Sequence, residues 1–114
     1  MQRRHKKITL MLTGLLLISV VALTGCSSSA EREALENNPE TILKQAREAF
    51  FEEKYVQVFE MLFPLATNGN AQAQYTLGYL YANGLGVEKN DQQAMNWIQR
   101  AAAQGHKKAL KALR

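Results

Sequence analysis

Few side chains in this sequence could do chemistry, and Cys26 stands out among them. It is the single cysteine of the 114 residues, and a thiolate is a nucleophile that accepts acyl and lipid groups. His106 follows a helix-ending glycine, so we interpret it as a surface or cap residue rather than a general base. Three carboxylates, Glu48, Glu52 and Glu53, could form a paired acid–base site. Their helical setting favours a solvated face instead.

The sequence contains no phosphate-binding loop, nucleophile elbow or metal-ligand cluster. We therefore predict a protein that is not an enzyme, with no catalytic residue, no metal site and no cofactor.

The segment before Cys26 has the pattern of a secretory signal. Four bases, Arg3, Arg4, Lys6 and Lys7, precede an apolar run over residues 8–23 that contains no acid or base, and this order is typical of a signal peptide. The run is shorter than the roughly 20 continuous apolar residues of a relaxed membrane span. Insertion as an uncleaved anchor remains the alternative.

The tetrad Leu23-Thr24-Gly25-Cys26 resembles the lipobox of bacterial lipoproteins. The resemblance implies a signal peptide over residues 1–25, a diacylglyceryl group on the Cys26 sulfur, cleavage before that residue, and acylation of its new amino group, with palmitate a typical chain. Several chains hold a protein stably at a bilayer, whereas one does so only marginally. Ser27 takes the place of the Asp that favours inner-membrane retention, which implies the outer membrane, facing the periplasm; the inner membrane is the alternative.

The basic character of the chain does not indicate nucleic-acid binding. The chain has 14 Lys and Arg against 10 Asp and Glu, but four of these bases belong to the predicted signal. The remainder is neutral and lacks a net basic footprint, so no nucleic-acid partner is predicted. With one cysteine, no intramolecular disulfide can form.

Beyond Cys26 the sequence predicts a tether followed by a helical domain. Residues 26–38 are polar and read as a lipidated, flexible tether or a frayed helix. Asn38, Pro39 and Glu40 are a typical helix start, with a capping side chain, a proline in the first turn and an acid near the positive dipole end. The domain is therefore predicted over residues 39–114.

Apolar residues at helical spacing predict five helices in this domain. The first ends at about Glu53, the second contains Pro64 near a bend or an irregular last turn, and the third covers about residues 71–83. The fourth covers about residues 92–104 with Asp91 as its N-cap, and a short fifth follows. The predicted core positions are Ile42, Leu43, Ala46, Ala49, Phe50, Val58, Phe59, Leu62, Phe63, Ala66, Ala73, Leu77, Leu80, Tyr81, Ala94, Trp97, Ile98, Ala101, Ala102 and Ala109.

The sequence repeats itself with a period of 36 residues. The shift superimposes Ala66 on Ala102, Gly69 on Gly105, Ala73 on Ala109 and Leu77 on Leu113. A period between about 20 and 50 residues built on helix pairs is typical of an α-solenoid. The predicted fold class is therefore all-α, a short solenoid of antiparallel helix hairpins.

A longer pattern of small, aromatic and turn residues runs through the same region. It consists of Gly69-Asn70-Ala71, Ala73-Gln74-Tyr75, Leu77-Gly78, Tyr81, Gly84-Leu85-Gly86-Val87, Asp91, Ala94, Trp97, Ala101-Ala102 and Gly105. This pattern resembles a complete Sel-one-like repeat, a relative of the tetratricopeptide repeat, over residues 69–105. The hairpin over residues 39–68 has a first loop four residues shorter and resembles an ordinary tetratricopeptide unit. Residues 106–114 are predicted as a terminal helix.

The resemblance implies a function in binding proteins or peptides, in a concave groove lined by the first helix of each pair. Tyr75 and Tyr79, four residues apart, could supply rigid amphipathic contacts, or they could pack against the adjacent hairpin. The candidate binding residues lie off the predicted core stripe and are Lys44, Arg47, Glu48, Gln72, Tyr75, Thr76 and Tyr79.

The sequence as a whole therefore predicts a lipid-anchored periplasmic scaffold or adaptor in a bacterial envelope complex. The alternatives are an inhibitor or accessory subunit of one envelope enzyme and, least favoured, a cryptic enzyme acting on the cell wall. Leu110 and Leu113 predict apolar surface on the terminal helix, through which a partner or a second copy would dock.

Overall fold

The computed structural model describes residues 29–114. The predicted signal peptide, the lipobox with Cys26, and Ser27 lie outside the described residues. Residues 29–36 form a helix with exposed side chains, here called α1, so this part of the predicted tether is helical rather than irregular. Within the described part of the chain, no helix is both long enough and apolar enough to cross a membrane.

A separate compact unit, Asn38–Arg114, contains five further helices. They pack mainly in consecutive order, each against the next along the chain, and no strand occurs between residues 29 and 114. This architecture confirms the predicted all-α fold and the short solenoid. The helices are α2 (Pro39–Phe51), α3 (Tyr55–Thr67), α4 (Ala71–Asn83), α5 (Asp91–Ala103) and α6 (Lys107–Ala112).

Asparagine side chains begin three of these helices. Asn38 accepts a hydrogen bond from the Glu40 backbone N–H at 3.1 Å, and Asn70 accepts one from Ala73 N–H at 2.9 Å. Each bond satisfies a backbone donor that the first helical turn leaves without a partner. The predicted starts of α2 and α4 are thereby confirmed.

The N-cap of α5 is Asn90, and the prediction of Asp91 was wrong. Asn90 has extended backbone angles, its side chain accepts from Gln93 N–H at 3.0 Å, and its carbonyl accepts from Ala94 N–H. Asp91 is the first helical residue, where its charge is favourable near the positive end of the helix dipole.

Helices α3 and α2 each end in a hydrogen-bonded turn of the same type. After α3, Gly69 has a φ of 99°, and Asn70 N–H donates to the Leu65 carbonyl at 2.9 Å, the long bond of a Schellman motif. After α2, Glu53 takes the left-handed position with a φ of 58°, and Lys54 N–H donates the corresponding bond to the Ala49 carbonyl at 2.9 Å. Because Glu53 is outside helical geometry, α2 ends at Phe51, two residues before the predicted end.

Pro64 does not interrupt α3, which continues to Thr67. Proline removes a backbone donor toward Glu60, and the last turn is nevertheless helical. The Thr67 hydroxyl donates to the carbonyl oxygens of Phe63 at 2.6 Å and Pro64 at 3.0 Å. These bonds satisfy carbonyl groups near the end of the helix.

The core is formed where α2, α3, α4 and α5 meet. Val58, Leu77 and Leu80 are its largest fully buried side chains. Phe63, predicted to point inward, is 42% exposed, because it lies at the rim with its ring 6.2 Å from that of Trp97. The core residues and partly buried neighbours that confirm the predicted stripe are Leu43, Ala46, Ala49, Phe50, Val58, Phe59, Leu62, Ala66, Ala73, Leu77, Leu80, Tyr81 and Trp97, with a second cluster of Ala101, Ala102 and Ala109 against Ile98.

Two glycines lie where backbones approach closely. A Cβ at Gly78 would stand 2.6 Å from Ile98 Cγ1 and 3.0 Å from the Ala94 carbonyl oxygen, so the close packing of α4 on α5 requires glycine at this position. A Cβ at Gly86 would stand 2.5 Å from the Tyr55 carbonyl carbon. The loop between α4 and α5 is therefore packed against the start of α3, a contact that the sequence did not reveal.

Candidate functional site

A groove of about 390 Å³ runs along the first helices of the two hairpins. Helix α4 contributes Gln72, Tyr75, Thr76 and Tyr79, residues spaced three and four apart on one side of the helix. Leu62 of α3 and Lys108 of α6 also line it. The residues contributed by α2 are Leu43, Ala46, Arg47, Phe50 and Phe51.

The structure brings five of the seven predicted binding residues into this groove, namely Arg47 and the four residues of α4. Glu48 lies outside it and lines a separate shallow depression with residues of α3. Lys44 is exposed and lines neither. Consecutive residues of a helix point about 100° apart; here Arg47 faces the groove, whereas Glu48 faces the depression shared with α3.

Sequence reasoning missed Phe51 and Lys108 as groove residues. Phe51 is 78% exposed, and it follows the core stripe so closely that it was not assigned a role. Lys108 is related to Gln72 by the 36-residue repeat, so extending the repeat to the terminal helix would have identified it. The residues of α2 that were predicted as core, including Leu43 and Phe50, contribute to both the core and the groove.

Aromatic rings cover the part of the groove where α2 and α4 face each other. The ring centroid of Phe50 lies 6.0 Å from that of Tyr79, 6.5 Å from Phe51 and 5.3 Å from Tyr55. Such distances are typical of interacting aromatic pairs. Tyr79 is nevertheless 42% exposed, so it both packs against α2 and presents its edge to the groove.

Tyr75 is more buried than Tyr79. It packs against the small cluster of Ala101, Ala102 and Ala109, and its ring is stacked on that of His106 with centroids 5.0 Å apart. Tyr75 therefore packs against α5 and α6 while it still lines the groove, whereas the alternative of packing against the adjacent hairpin applies to Tyr79, through Phe50.

His106 is the N-cap of α6, which confirms its interpretation as a cap residue. Its Nδ1 accepts a hydrogen bond from Ala109 N–H at 3.3 Å. In the neutral ring the proton is then on Nε2, which lies 3.0 Å from Gln72 Oε1 and donates to it. His106 corresponds to Asn70 in the 36-residue repeat, and Ala109 corresponds to Ala73, so the same capping bond occurs one repeat later.

The charged residues that line the groove are Arg47 and Lys108, and no acid lines it. In residues 29–114 the one ion pair joins Lys54 and Glu52 at 2.6 Å, and both side chains are well exposed. Glu48 and Glu53 are likewise exposed. Over the same residues, no group of three or more His, Cys, Asp and Glu side chains could hold a metal ion.

The groove thus offers apolar and aromatic contacts together with two cations. This combination can bind a polypeptide segment through apolar anchors. Carboxylate groups can be bound through charge-assisted hydrogen bonds to the cations.

Comparison with known proteins identifies the second hairpin. Residues 71–106 match the model of the Sel1 repeat. The chain is 36% identical over 67 residues to the chitin synthase regulator SKT5 of Saccharomyces cerevisiae, a match covering 59% of the chain and 10% of that protein. It is 38% identical over 63 residues to the DAP3-binding cell death enhancer 1 of Rattus norvegicus, covering 55% of the chain and 12% of that protein.

A third relative is the chitin synthase regulatory factor 3 of Schizosaccharomyces pombe, with 46% identity over 48 residues, covering 42% of the chain and 5% of that protein. The chain therefore corresponds to a small part of each of these relatives. No solved structure is significantly similar. The family match covers α4, α5 and the loop between them, and this part of the chain is similar to a Sel1 repeat.

Proposed function

We propose that this protein is a lipid-anchored interaction module that binds a segment of a partner protein in the groove along α2, α4 and α6, without catalysing a reaction. Sel1 repeats generally mediate protein–protein interaction. The observation that carries the proposal is the groove itself, which gathers exposed aromatic and polar side chains on the first helices of successive hairpins.

The chemistry of the groove supports a protein partner. Phe51 and Tyr79 both expose large aromatic surfaces in the groove, and aromatic side chains are enriched among the residues that dominate binding energy. Both rings pack against Phe50, and such contacts reduce the side-chain entropy that is lost when a partner binds.

A photo-crosslinking experiment tests this site. A benzophenone amino acid would replace Phe51 in the groove or, as a matched control, Met95, an exposed apolar residue of α5 outside the groove. We expect irradiation of intact membranes to give a discrete adduct from position 51 and none of equal yield from position 95. Adding Tyr79→Ser to the first variant should remove the adduct.

Two results would contradict the proposed site. Equal adducts from both positions would indicate contacts unrelated to the groove. An adduct from position 51 that survives Tyr79→Ser would show that the aromatic pair does not bind the partner.

We also propose that Cys26 carries the lipid anchor and that the module faces the periplasm from the outer membrane. The support is the signal-like segment and the lipobox-like tetrad, with Ser27 after the cysteine. Growth with an alkynyl fatty acid should label the wild type but not Cys26→Ala. Density separation of membranes should place the wild type in the outer membrane and shift Ser27→Asp toward the inner membrane; label retained in Cys26→Ala would exclude this anchor.

A second candidate function is that of an inhibitor or accessory subunit of an envelope enzyme. It is favoured by the two relatives whose names describe regulation of chitin synthase. If the crosslinked partner is an enzyme, its turnover rate should change on addition of the purified protein, and Tyr79→Ser should abolish the change. If the turnover rate of the partner enzyme is unaffected, the inhibitor or accessory-subunit function is excluded and the adaptor function is retained.

A further inference from the structure

We propose that the occupant of the groove is an acidic protein segment that carries a large apolar side chain as its anchor. This inference rests on the proposed function and adds the chemical class of the ligand. It follows from the distribution of charge and apolar surface around the groove.

The cations of the groove come from two different helices. Arg47 lies on α2 and Lys108 on α6, with the groove face of α4 contributed by uncharged residues. A bound segment would therefore meet positive charge from more than one helix.

No internal carboxylate neutralises these cations. No acidic side chain lines the groove, and within residues 29–114 neither Arg47 nor Lys108 forms an ion pair. Glu48 is adjacent in sequence but lines the separate depression toward α3. A partner carboxylate would thus gain a charge-assisted hydrogen bond without displacing an existing pair.

The apolar part of the groove defines the rest of the ligand. Leu43 and Phe50 lie partly buried beneath it, and Phe51 and Tyr79 are exposed beside it. An aromatic or large aliphatic side chain would remove this surface from water. A wholly polar acidic segment would leave it exposed.

The same features disfavour other partners. A basic segment would place like charges beside Arg47 and Lys108, which lowers affinity and slows association. Nucleic acid and anionic lipid surfaces require extended basic areas, whereas the groove is lined by two cations, Arg47 and Lys108.

The test uses the full-length protein in non-ionic detergent and three pools of fluorescent peptides of about ten residues. Every peptide has a central Phe among Leu and Ala. The remaining positions are Asp and Glu in the acidic pool, Asn and Gln in the amide pool, and Lys and Arg in the basic pool. Fluorescence anisotropy should show the acidic pool binding about tenfold more tightly than its amide isostere. The preference should decline at high salt, where the screening length falls to about 3 Å.

Matched variants show which residues cause the preference for acidic peptides. Arg47→Gln and Lys108→Gln should each weaken binding of the acidic pool about fivefold or more and leave the amide pool unchanged. Lys107→Gln, which neutralises an exposed neighbour outside the groove, should change neither affinity by more than about twofold. Circular dichroism would verify that all variants remain folded.

The outcomes separate this inference from the proposed function. Binding of the amide or basic pool as tight as that of the acidic pool, still lost in Tyr79→Ser, overturns the acidic preference and leaves the groove as a binding site. The absence of binding to every peptide pool overturns both. An acidic preference that Arg47→Gln and Lys108→Gln leave intact overturns the assignment of these two cations.

Discussion

The side-chain amide of Gln104 donates a hydrogen bond to the side-chain carbonyl oxygen of Gln74, with a distance of 2.9 Å. Gln74 is only 5% exposed, and its own amide donates to the Ala66 carbonyl oxygen at 3.0 Å. These two bonds connect the ends of α3 and α5 through α4. They bridge the two hairpins at a polar position within the packed helices.

Loss of the Gln74 side chain should destabilise the domain more than loss of Gln104. We expect Gln74→Ala to lower the free energy of unfolding by about 1–3 kcal/mol, because it removes two hydrogen bonds and leaves buried space. Gln104→Ala should cost about 0.5–1 kcal/mol, because Gln104 is exposed and water can take its place as the donor to the Gln74 carbonyl oxygen. Urea unfolding measures both, and equal losses would contradict the bridging role of Gln74.

Gly78→Ala should push α4 and α5 apart. Its methyl group would stand 2.6 Å from Ile98 Cγ1, and overpacking of this kind costs about 1–3 kcal/mol. Ile98→Ala removes the closest of the clashing atoms and leaves the Ala94 carbonyl oxygen at 3.0 Å, so the double variant should be more stable than the sum of the two single losses predicts. A double-mutant cycle by chemical unfolding measures this coupling, and strict additivity would show that the clash is relieved elsewhere.

Gly86→Ala should be more destabilising than Gly69→Ala. Both glycines have positive φ, where a Cβ costs about 1 kcal/mol. Gly69 has open space around it, whereas a Cβ at Gly86 would meet the backbone of Tyr55 and Val56 at 2.5–2.7 Å. We expect an additional loss of about 1–3 kcal/mol at Gly86, measured by thermal unfolding; similar losses for both variants would mean that this loop can move away from α3.

Glu53→Gly should stabilise the protein by about 0.5–1 kcal/mol. Glu53 holds the left-handed position after α2 with a φ of 58°, which glycine adopts without the Cβ penalty. Glu52→Gly is the matched control, because Glu52 has a negative φ and pairs with Lys54. That variant should gain nothing, and a gain of equal size would attribute the effect to lost negative charge rather than backbone geometry.

The cap of α6 should tolerate asparagine but not alanine at position 106. His106 bonds Ala109 N–H in the position that Asn70 occupies one repeat earlier, and removal of an N-cap costs about 0.5–2 kcal/mol. We expect faster hydrogen exchange of the Ala109 amide in His106→Ala and near-normal exchange in His106→Asn. Equal exchange in both variants would indicate that the contacts of the His106 ring with Gln72 and Tyr75, rather than the capping bond, keep α6 folded.

Much of the fold could be predicted because its determinants are local. The caps at Asn38 and Asn70 and the turn at Gly69 depend on residues within one or two helical turns. The error at Asp91 was of the same local kind, since Asn90 and Asp91 are both good capping residues. The terminal apolar positions are exposed as expected, with Leu110 and Leu113 both outside the core, and self-association through them stays a prediction.

The binding surface was only partly predictable. Helical spacing grouped Gln72, Thr76 and Tyr79 on one side of α4, and these residues do line the groove. The same reasoning could not decide which of Arg47 and Glu48 lines the groove, because both lie off the core stripe of α2. Only the positions of α3 and α4 decide that Arg47 faces the groove and Glu48 the depression beside α3.

The sequence by itself determined the order and approximate bounds of the helices, their 36-residue repeat and the chemistry available at Cys26. Periodicity and capping act over a few residues and can be read along the chain. Only the tertiary structure decided that Gln74 is buried, that Gly86 touches the start of α3, and that Arg47 and Lys108 share a groove. These features depend on distances between residues some thirty to sixty positions apart, which are set by how the helices pack.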